Sequence, residues 1–314
     1  MLIRSDPALM EEIVFWEIKR REEQGDLQIF RTYHQLADAI YEEPSTIRRE
    51  VEFAKLHEKF FRVMGFETLI AQVLSEFAPL AGKVAEVFVA RAIRPQDEGA
   101  DLSHFGNRIG IKIRAERFRD AESLKTFMRH EFYHVADMLD PTFGYEPNDV
   151  QQVSSPAEES LLRDRYKVLW NILIESRLRK AGKPTMAGRE ERFAEFEALY
   201  QKLPLTPRVA VFDVLWSAEQ LTHRDLIEMA SNTEYLLERT GTRLDQGGER
   251  PSEAAPLPGS KCPLCRFPSY TWGRVSDEIT ARRIQEDFHD WSPSYGVCVR
   301  CIEAYESQEQ FIGR

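Results

Sequence analysis

The sequence predicts an α+β fold that is mainly helical, with a small mixed sheet beside one long helix and a separate C-terminal module. Apolar residues recur at helical spacing through the first eighty residues and again from about Glu158. Apolar and polar residues alternate in two short runs, near residues 84–89 and 109–114, as expected of strands. All four cysteines lie beyond residue 261, and they mark the separate module.

The first predicted part is a helical N-terminal region, residues 1–80, in which apolar residues follow the i, i+4, i+7 spacing. Within it, Leu36–Glu50 resembles a helix-turn-helix, because Ser45 and Thr46 can cap a second helix that carries Arg48. A helical hairpin packed against the rest of the fold explains the same pattern. Acidic residues outnumber basic ones in this region, which disfavours DNA binding.

Two strands and a long helix follow. The strands are predicted around Val84–Val89 and Ile109–Arg114, and the polar segment Pro95–Asn107 connects them. Asp120 is suited to cap the helix that follows the second strand. The sequence Asp140-Pro141 is expected to end this helix, since the residue before a proline disfavours the helical conformation.

Further helices are predicted at about 158–180, 188–202 and 208–238, and the last is divided by a capping box at Thr222–Asp225. The stretch 241–260 is rich in Gly and Pro and has almost no apolar side chain to bury. The predicted domains are therefore a helical region at 1–80, a catalytic domain at 81–240, a linker at 241–260 and a four-cysteine module at 261–314.

Composition and charge exclude several classes of protein. The 314 residues are 42% hydrophobic and 30% charged, which is typical of globular proteins. The net charge of -10 disfavours general binding to nucleic acids and acidic membranes. No apolar run is long enough for a membrane span, and Glu11 and Glu12 interrupt the position of a signal peptide. We expect a cytoplasmic protein with no membrane association.

The long helix carries an H-E-x-x-H motif, His130-Glu131-Phe132-Tyr133-His134. Two histidines four residues apart lie on one face of a helix and can bind one metal ion, with Glu131 beside it. The apolar residues of this helix cluster on the side to which Glu131 points, so the helix is expected to face a core. The alternative is a pair of histidines satisfied by ordinary hydrogen bonds.

This motif resembles that of the zincin metallopeptidases, and the resemblance covers about 100 residues from Val84 to Lys180. It implies that His130 and His134 bind zinc. It also implies that Glu131 is the general base, which activates the metal-bound water for attack on a peptide bond. In this superfamily a mixed sheet runs beside the motif helix.

A catalytic zinc ion needs a third protein ligand, and Glu175 is the preferred candidate. Its carboxylate falls within an apolar stripe of the helix predicted at 158–180, where coordination to a cation would offset the cost of burial. A Glu on a later helix resembles the gluzincin arrangement, although Arg179 replaces the usual companion acid. The alternative is an ion pair with Arg177, Arg179 or an arginine of another element.

Asp140 is the second candidate, because its distance from His134 copies the metzincin spacing. Metzincins have Gly where Asp137 stands, and a helix that continues to Leu139 would point Asp140 away from the metal. Asp137 is instead a possible hydrogen-bond acceptor for an imidazole N–H. The candidates for an oxyanion donor are two phenols and one imidazole, those of Tyr145, Tyr166 and His223.

The cysteines form two C-x-x-C pairs, Cys262 with Cys265 and Cys298 with Cys301, separated by 32 residues. They resemble a zinc ribbon or a rubredoxin-like knuckle. Four thiolates form a closed site, so its zinc ion would be structural, and iron is the alternative metal. Arg266 stands where Gly usually follows the first pair. The aromatic residues between the pairs can build a small core: Tyr270, Trp272, Phe288, Trp291 and Tyr295.

The sequence thus predicts a zinc-dependent peptidase with one catalytic and one structural zinc ion, acting on a peptide or protein substrate. The alternative is a non-catalytic regulatory or adaptor protein that binds protein or nucleic acid through the zinc ribbon and the helical region. The pattern gives no oligomeric state.

Overall fold

The computed structural model describes residues 1–103, 107–147, 156–243, 259–275, 277–289 and 291–307. The chain divides into two compact units. Unit 1 comprises Met1–Tyr145 and Gly182–Met186, and unit 2 comprises Glu146–Ala181 and Ala187–Arg314. The predicted domain boundaries stay predictions, and most of the predicted linker, 244–258, lies outside the described residues.

Unit 1 contains a four-stranded mixed sheet. Its strands are β1 (Leu2–Ser5), β2 (Glu86–Arg91), β3 (Gly99–Leu102) and β4 (Arg108–Ile113). The order is β1-β2-β4-β3, in which β1, β2 and β4 are parallel and the edge strand β3 is antiparallel to β4. The predicted class, mainly helical with a small mixed sheet, is confirmed.

The two predicted strands are the central pair of this sheet. Val87 and Val89 of β2 are buried, as are Ile109, Ile111 and Ile113 of β4, and the residues between them are more exposed. The two outer strands were not predicted, and the prediction that the first eighty residues are entirely helical was wrong at β1. Four residues are too few to show a period of two, so β1 and β3 depend on pairing with their neighbours.

Five α-helices surround the sheet: α1 (Pro7–Glu23), α2 (Leu27–Tyr41), α3 (Thr46–Val63), α4 (Phe66–Ser75) and α5 (Ala121–Leu139). The predicted caps are present, because Ser45 accepts a hydrogen bond from Arg48 N–H and Asp120 accepts one from Glu122 N–H. The helices and the sheet share one apolar core, which includes Leu9, Val14, Phe61, Ile70, Val87, Ile111 and Phe132.

Unit 2 begins with a helical part: α6 (Pro156–Lys180), α7 (Arg189–Leu199), α8 (Leu205–Trp216), α9 (His223–Ser231) and α10 (Thr233–Arg239). The predicted capping box opens α9, because Thr222 and Asp225 each accept a hydrogen bond from the other's backbone N–H. A buried cation lies among these helices. The Arg165 guanidinium donates to the carbonyl oxygens of Leu199 and Ala230.

The C-terminal part of unit 2 consists of short strands and two helices. Strands β5 (Ser260–Lys261) and β6 (Pro268–Ser269) form one hairpin, and β7 (Trp272–Gly273) pairs with β8 (Val297–Cys298). The helices are α11 (Glu278–Asp287) and α12 (Val299–Ser307). Across the described ranges, no helix combines the length and apolar content that a membrane span requires.

Candidate metal centres

The two motif histidines face each other on α5. Their Nε2 atoms are 3.3 Å apart, their ring centroids are 5.0 Å apart, and their planes meet at 73°. Two nitrogens bound to one tetrahedral zinc ion at about 2.0–2.1 Å would be separated by about 3.3–3.4 Å. His130 and His134 therefore fit a shared zinc ion. A direct imidazole hydrogen bond is the alternative explanation of this distance.

Glu131 lies against the edge strand of the sheet. Its Oε2 atom accepts a hydrogen bond of 2.8 Å from the backbone N–H of Ala100, in β3. The N–H of Leu102, two residues along, donates to the Asp101 carboxylate instead of to a strand. In an edge strand, the backbone N–H groups of alternate residues point away from the neighbouring strand, so the N–H groups of Ala100 and Leu102 both lie on the outer side of β3. The Glu131 carboxylate therefore lies at the outer edge of the sheet that the described residues form.

The residue before the motif anchors α5 to the rest of unit 1. Arg129 is buried, and its guanidinium donates to both carboxylate oxygens of Glu76, at the end of α4. The hydrogen bonds from Arg129 hold the pKa of Glu76 below its usual value. Lys183 contributes a second cation, with its Nζ 3.1 Å from Glu76. This ion-pair network resists movement of the helix that carries the histidines.

Three acidic or phenolic side chains of unit 1 belong to the predicted site. Asp140 is the residue after α5, and its Oδ1 accepts hydrogen bonds of 2.8 Å from both the N–H and the hydroxyl of Thr142. The helix continues to Leu139, which is the condition under which Asp140 is expected to point away from the metal. Asp137 is buried. Burial, followed by the charge of Asp101, raises the pKa of Tyr145, which is therefore protonated at neutral pH.

Glu175, the preferred third ligand, belongs to unit 2 and is 0% exposed. Its Oε1 accepts a hydrogen bond of 2.9 Å from the Arg192 guanidinium, in α7. Arg192 also donates to Glu195, at 2.7 Å. An ion pair with an arginine of another helix, the predicted alternative, is thus present on one carboxylate oxygen. Zinc coordination by Glu175 stays a prediction. No spacing rule connects α6 to α7, so sequence reasoning did not find Arg192.

Two of the predicted oxyanion donors pair with each other in unit 2. The hydroxyl of Tyr166 in α6 is 2.7 Å from Nδ1 of His223, the first residue of α9. Their rings meet edge to face, with the centroids 5.4 Å apart. The contact fixes the orientation of both side chains, and their catalytic role stays a prediction.

The four cysteines meet at one point in unit 2, where all four Sγ atoms lie within 4.8 Å of one another. The Sγ atoms of Cys262 and Cys301 are 3.9 Å apart, and those of Cys265 and Cys298 are 3.8 Å apart. Tetrahedral zinc with Zn–S bonds of about 2.3 Å requires about 3.8 Å between sulfurs. This cluster could therefore bind a metal ion such as zinc.

The two cysteine pairs lie in different local structures. The first pair lies in the β5–β6 turn. Burial raises the pKa of Cys262 there, but hydrogen bonds from backbone N–H groups outweigh the effect of burial and bring the pKa down to about 7. This turn places Arg266 at a φ of 62°, the left-handed conformation that usually requires Gly. The second pair lies at the junction of β8 and α12, so Cys301 belongs to the first turn of a helix.

A small core packs around the cysteines, as predicted, but it excludes two of the expected aromatic residues. Trp272, Phe288 and Trp291 belong to this core. Tyr295 is 55% exposed, and the Tyr270 hydroxyl donates to Asp164 in α6. The core is completed by aliphatic residues that sequence reasoning did not single out: Leu264, Ile284, Val297 and Ile302.

Comparisons of the chain with family models, with curated proteins and with solved structures found no match.

Proposed function

We propose that this protein is a zinc-dependent peptidase, in which His130 and His134 bind the catalytic zinc ion and Glu131 is the general base. The observation that carries the proposal is the 3.3 Å separation of the two Nε2 atoms, the distance that one tetrahedral zinc ion requires. The position of Glu131 between this pair in sequence and against the edge of β3 in space supports it.

The protein residues supply the proton transfer. Zinc, when bound, would polarise the substrate carbonyl and make water more acidic. Ala100 N–H holds Oε2 of Glu131, and this oriented carboxylate would take the proton from the attacking water. The same carboxyl group then delivers this proton to the departing amine. The hydrogen bond from β3 thus orients the base relative to the histidines.

The outer edge of β3, which no other strand of the described residues covers, supports a peptide as the substrate. An extended peptide can add to an exposed strand edge through main-chain hydrogen bonds. In an antiparallel strand the N–H and C=O groups of one residue point to the same side, so the carbonyl groups of Ala100 and Leu102 face outward. A peptide paired with them would place its backbone beside the Glu131 carboxylate.

The decisive experiment measures zinc per chain and peptide cleavage together. The wild type is expected to contain two zinc ions, and Glu131→Gln should retain both but lose cleavage. Glu122→Gln is the matched control, because Glu122 lies on the same helix with its side chain 69% exposed. His130→Ala should contain one zinc ion. A His130→Ala protein that retains all its zinc would favour the imidazole hydrogen bond and the adaptor function.

Two further substitutions test the predicted third ligand. Glu175→Ala should lose the catalytic zinc, whereas Asp140→Ala should retain it, because the Asp140 carboxylate already binds Thr142. The reverse result would assign the ligand to Asp140. For the oxyanion donor, Tyr166→Phe and Tyr145→Phe should be compared by kcat with zinc content held equal, since only the true donor lowers kcat without loss of metal.

The four-cysteine cluster is proposed as a structural zinc site of the ribbon type. Four thiolates leave no position open for a substrate. Cys298→Ser should therefore remove one zinc ion and loosen the small core around it, while cleavage of a short peptide continues. Loss of cleavage with the His-bound zinc still present would show that this cluster takes part in catalysis.

A further inference from the structure

The first three helices of unit 1 surround a cavity of about 1120 Å³, here called the α1–α3 cavity. It is lined by residues of α1, α2 and α3 and by Arg91 of β2. Sites for drug-sized ligands have volumes of about 300–1,000 Å³, so this cavity can hold a side chain together with its neighbouring residues. None of its lining residues belongs to the metal centres.

One wall of the cavity is aromatic. The His57 ring stacks between Tyr33 and Phe53, with centroid distances of 6.1 and 6.0 Å, and Tyr41 packs edge-on against Phe53 at 5.0 Å. A hydrogen bond of 3.0 Å between the Tyr33 hydroxyl and His57 Nε2 fixes this arrangement. Faces of aromatic rings attract cations.

The charge of the lining also favours a cation. Four carboxylates line the cavity, those of Glu11, Glu12, Glu22 and Glu50, against the two cations Lys19 and Arg91. Arg91 is bound to Glu12 at 2.7 Å. Within the described ranges, no Lys or Arg forms an ion pair with Glu11, Glu22 or Glu50. The remaining carboxylates therefore leave a negative field at the aromatic wall.

We propose that the α1–α3 cavity binds the arginine or lysine side chain of a polypeptide segment. Phe15 and Tyr41 line the cavity and are 61% and 65% exposed, so they offer apolar contacts to the residues beside the bound cation. These contacts favour a peptide over a free small cation. The carboxylates repel phosphate, which excludes nucleic acid as the occupant.

Calorimetric titration of the full chain tests this site. The probes are N-acetyl-Leu-Arg-Leu amide and the same tripeptide with citrulline, which has the shape of arginine but no charge. The zinc-loaded Glu131→Gln protein is used, so that the probes are not cleaved. The arginine peptide should bind about tenfold more tightly than the citrulline peptide, because the uncharged citrulline side chain lacks the attraction to the ring faces and to the carboxylates.

Variants assign this binding to the cavity. Replacing both Glu11 and Glu50 by Gln should lower the affinity for the arginine peptide about tenfold, and Tyr41→Leu should lower this affinity about threefold. Glu52→Gln is the matched control, because Glu52 is also on α3 but pairs with Lys55 and does not line the cavity. It should leave the affinity unchanged.

Three results would overturn the proposal. The citrulline peptide could bind as tightly as the arginine peptide, or Glu52→Gln could weaken binding as much as the double variant. Arginine amide alone could also match the tripeptide, which would make the occupant a small cation. The proposal does not rest on the peptidase function, because every readout is binding and an inactive protein gives the same answer.

Discussion

Replacement of Glu98 by Gln should destabilise unit 1 by about 3 kcal/mol. The Glu98 side chain is 4% exposed, and it immediately precedes β3. Its two oxygens accept hydrogen bonds of 2.7 and 2.8 Å from the Arg117 guanidinium, and Oε1 also accepts one of 3.0 Å from Arg114 N–H. This carboxylate therefore joins the start of the edge strand to the segment after β4.

The magnitude follows from these contacts. Removing one partner of a buried ion pair costs about 3–5 kcal/mol. Gln retains one acceptor oxygen, and the Arg117 guanidinium keeps its contact with the Phe127 ring, at 4.3 Å, so the lower end of this range applies. The loss should also release β3, and with it the hydrogen bond from Ala100 to Glu131.

Urea unfolding followed by circular dichroism measures the change, with Glu122→Gln as a control that should lie within about 0.5 kcal/mol of the wild type.

The pH dependence gives a second test. Burial raises the pKa of Glu98, but the hydrogen bonds from the Arg117 side chain and from Arg114 N–H outweigh the effect of burial, so the pKa is lowered. A lowered folded-state pKa gives stability above the unfolded value of about 4.3, and this stability is lost as the pH falls through the folded value. The difference between wild type and variant should therefore be full at pH 7 and disappear in acid. A loss below about 1 kcal/mol at pH 7, or one that is equal at all pH values, would refute the reasoning.

Three other predictions concern unit 2. Arg266→Gly should stabilise the zinc-loaded protein against thermal unfolding by about 1 kcal/mol relative to Arg266→Ala, because both remove the charge but only Gly relieves the left-handed strain. Equal stabilities would contradict this. Burial raises the pKa of Asp225, but hydrogen bonds from Thr222 and Arg239 outweigh the effect of burial and bring the pKa down to about 2. Asp225→Asn should therefore cost roughly 1 kcal/mol in urea unfolding at pH 7, and the difference should fade as the pH drops from about 3.9 towards the folded value; a difference that persists in acid would count against it. Arg165→Met should cost about 3 kcal/mol in the same assay, because the carbonyl oxygens that the guanidinium binds lose their donor, and a neutral result would show that water replaces it.

The long elements of the fold could be predicted from the sequence, because their signals are local. The spacing of apolar residues and the caps at Asp120, Ser45 and Thr222 predicted helices that are present. Strands β2 and β4 showed enough alternation to be found. Strands β1 and β3 did not, because each has only four residues and is defined by pairing with distant segments.

In the candidate site, too, the features with local sequence signals could be predicted, whereas the contacts between distant segments could not. The helix geometry that brings His130 and His134 together follows from their spacing, and the meeting of the four cysteines follows from their pairing. The contacts of Glu131 with Ala100 and of Glu175 with Arg192 could not be predicted, because each joins segments whose proximity only the folded chain determines. The partner of a charged side chain depends on tertiary structure, and the motif alone does not specify it.

The parallel pairing of β1 with β2 has a consequence for how unit 1 folds. Leu2 pairs with Glu86, so the sheet joins residues separated by four intervening helices. Closing so long a loop delays folding, whereas the helices between can form early from local contacts. During synthesis, β1 must therefore wait with its backbone N–H and C=O groups unpaired until β2 has left the ribosome.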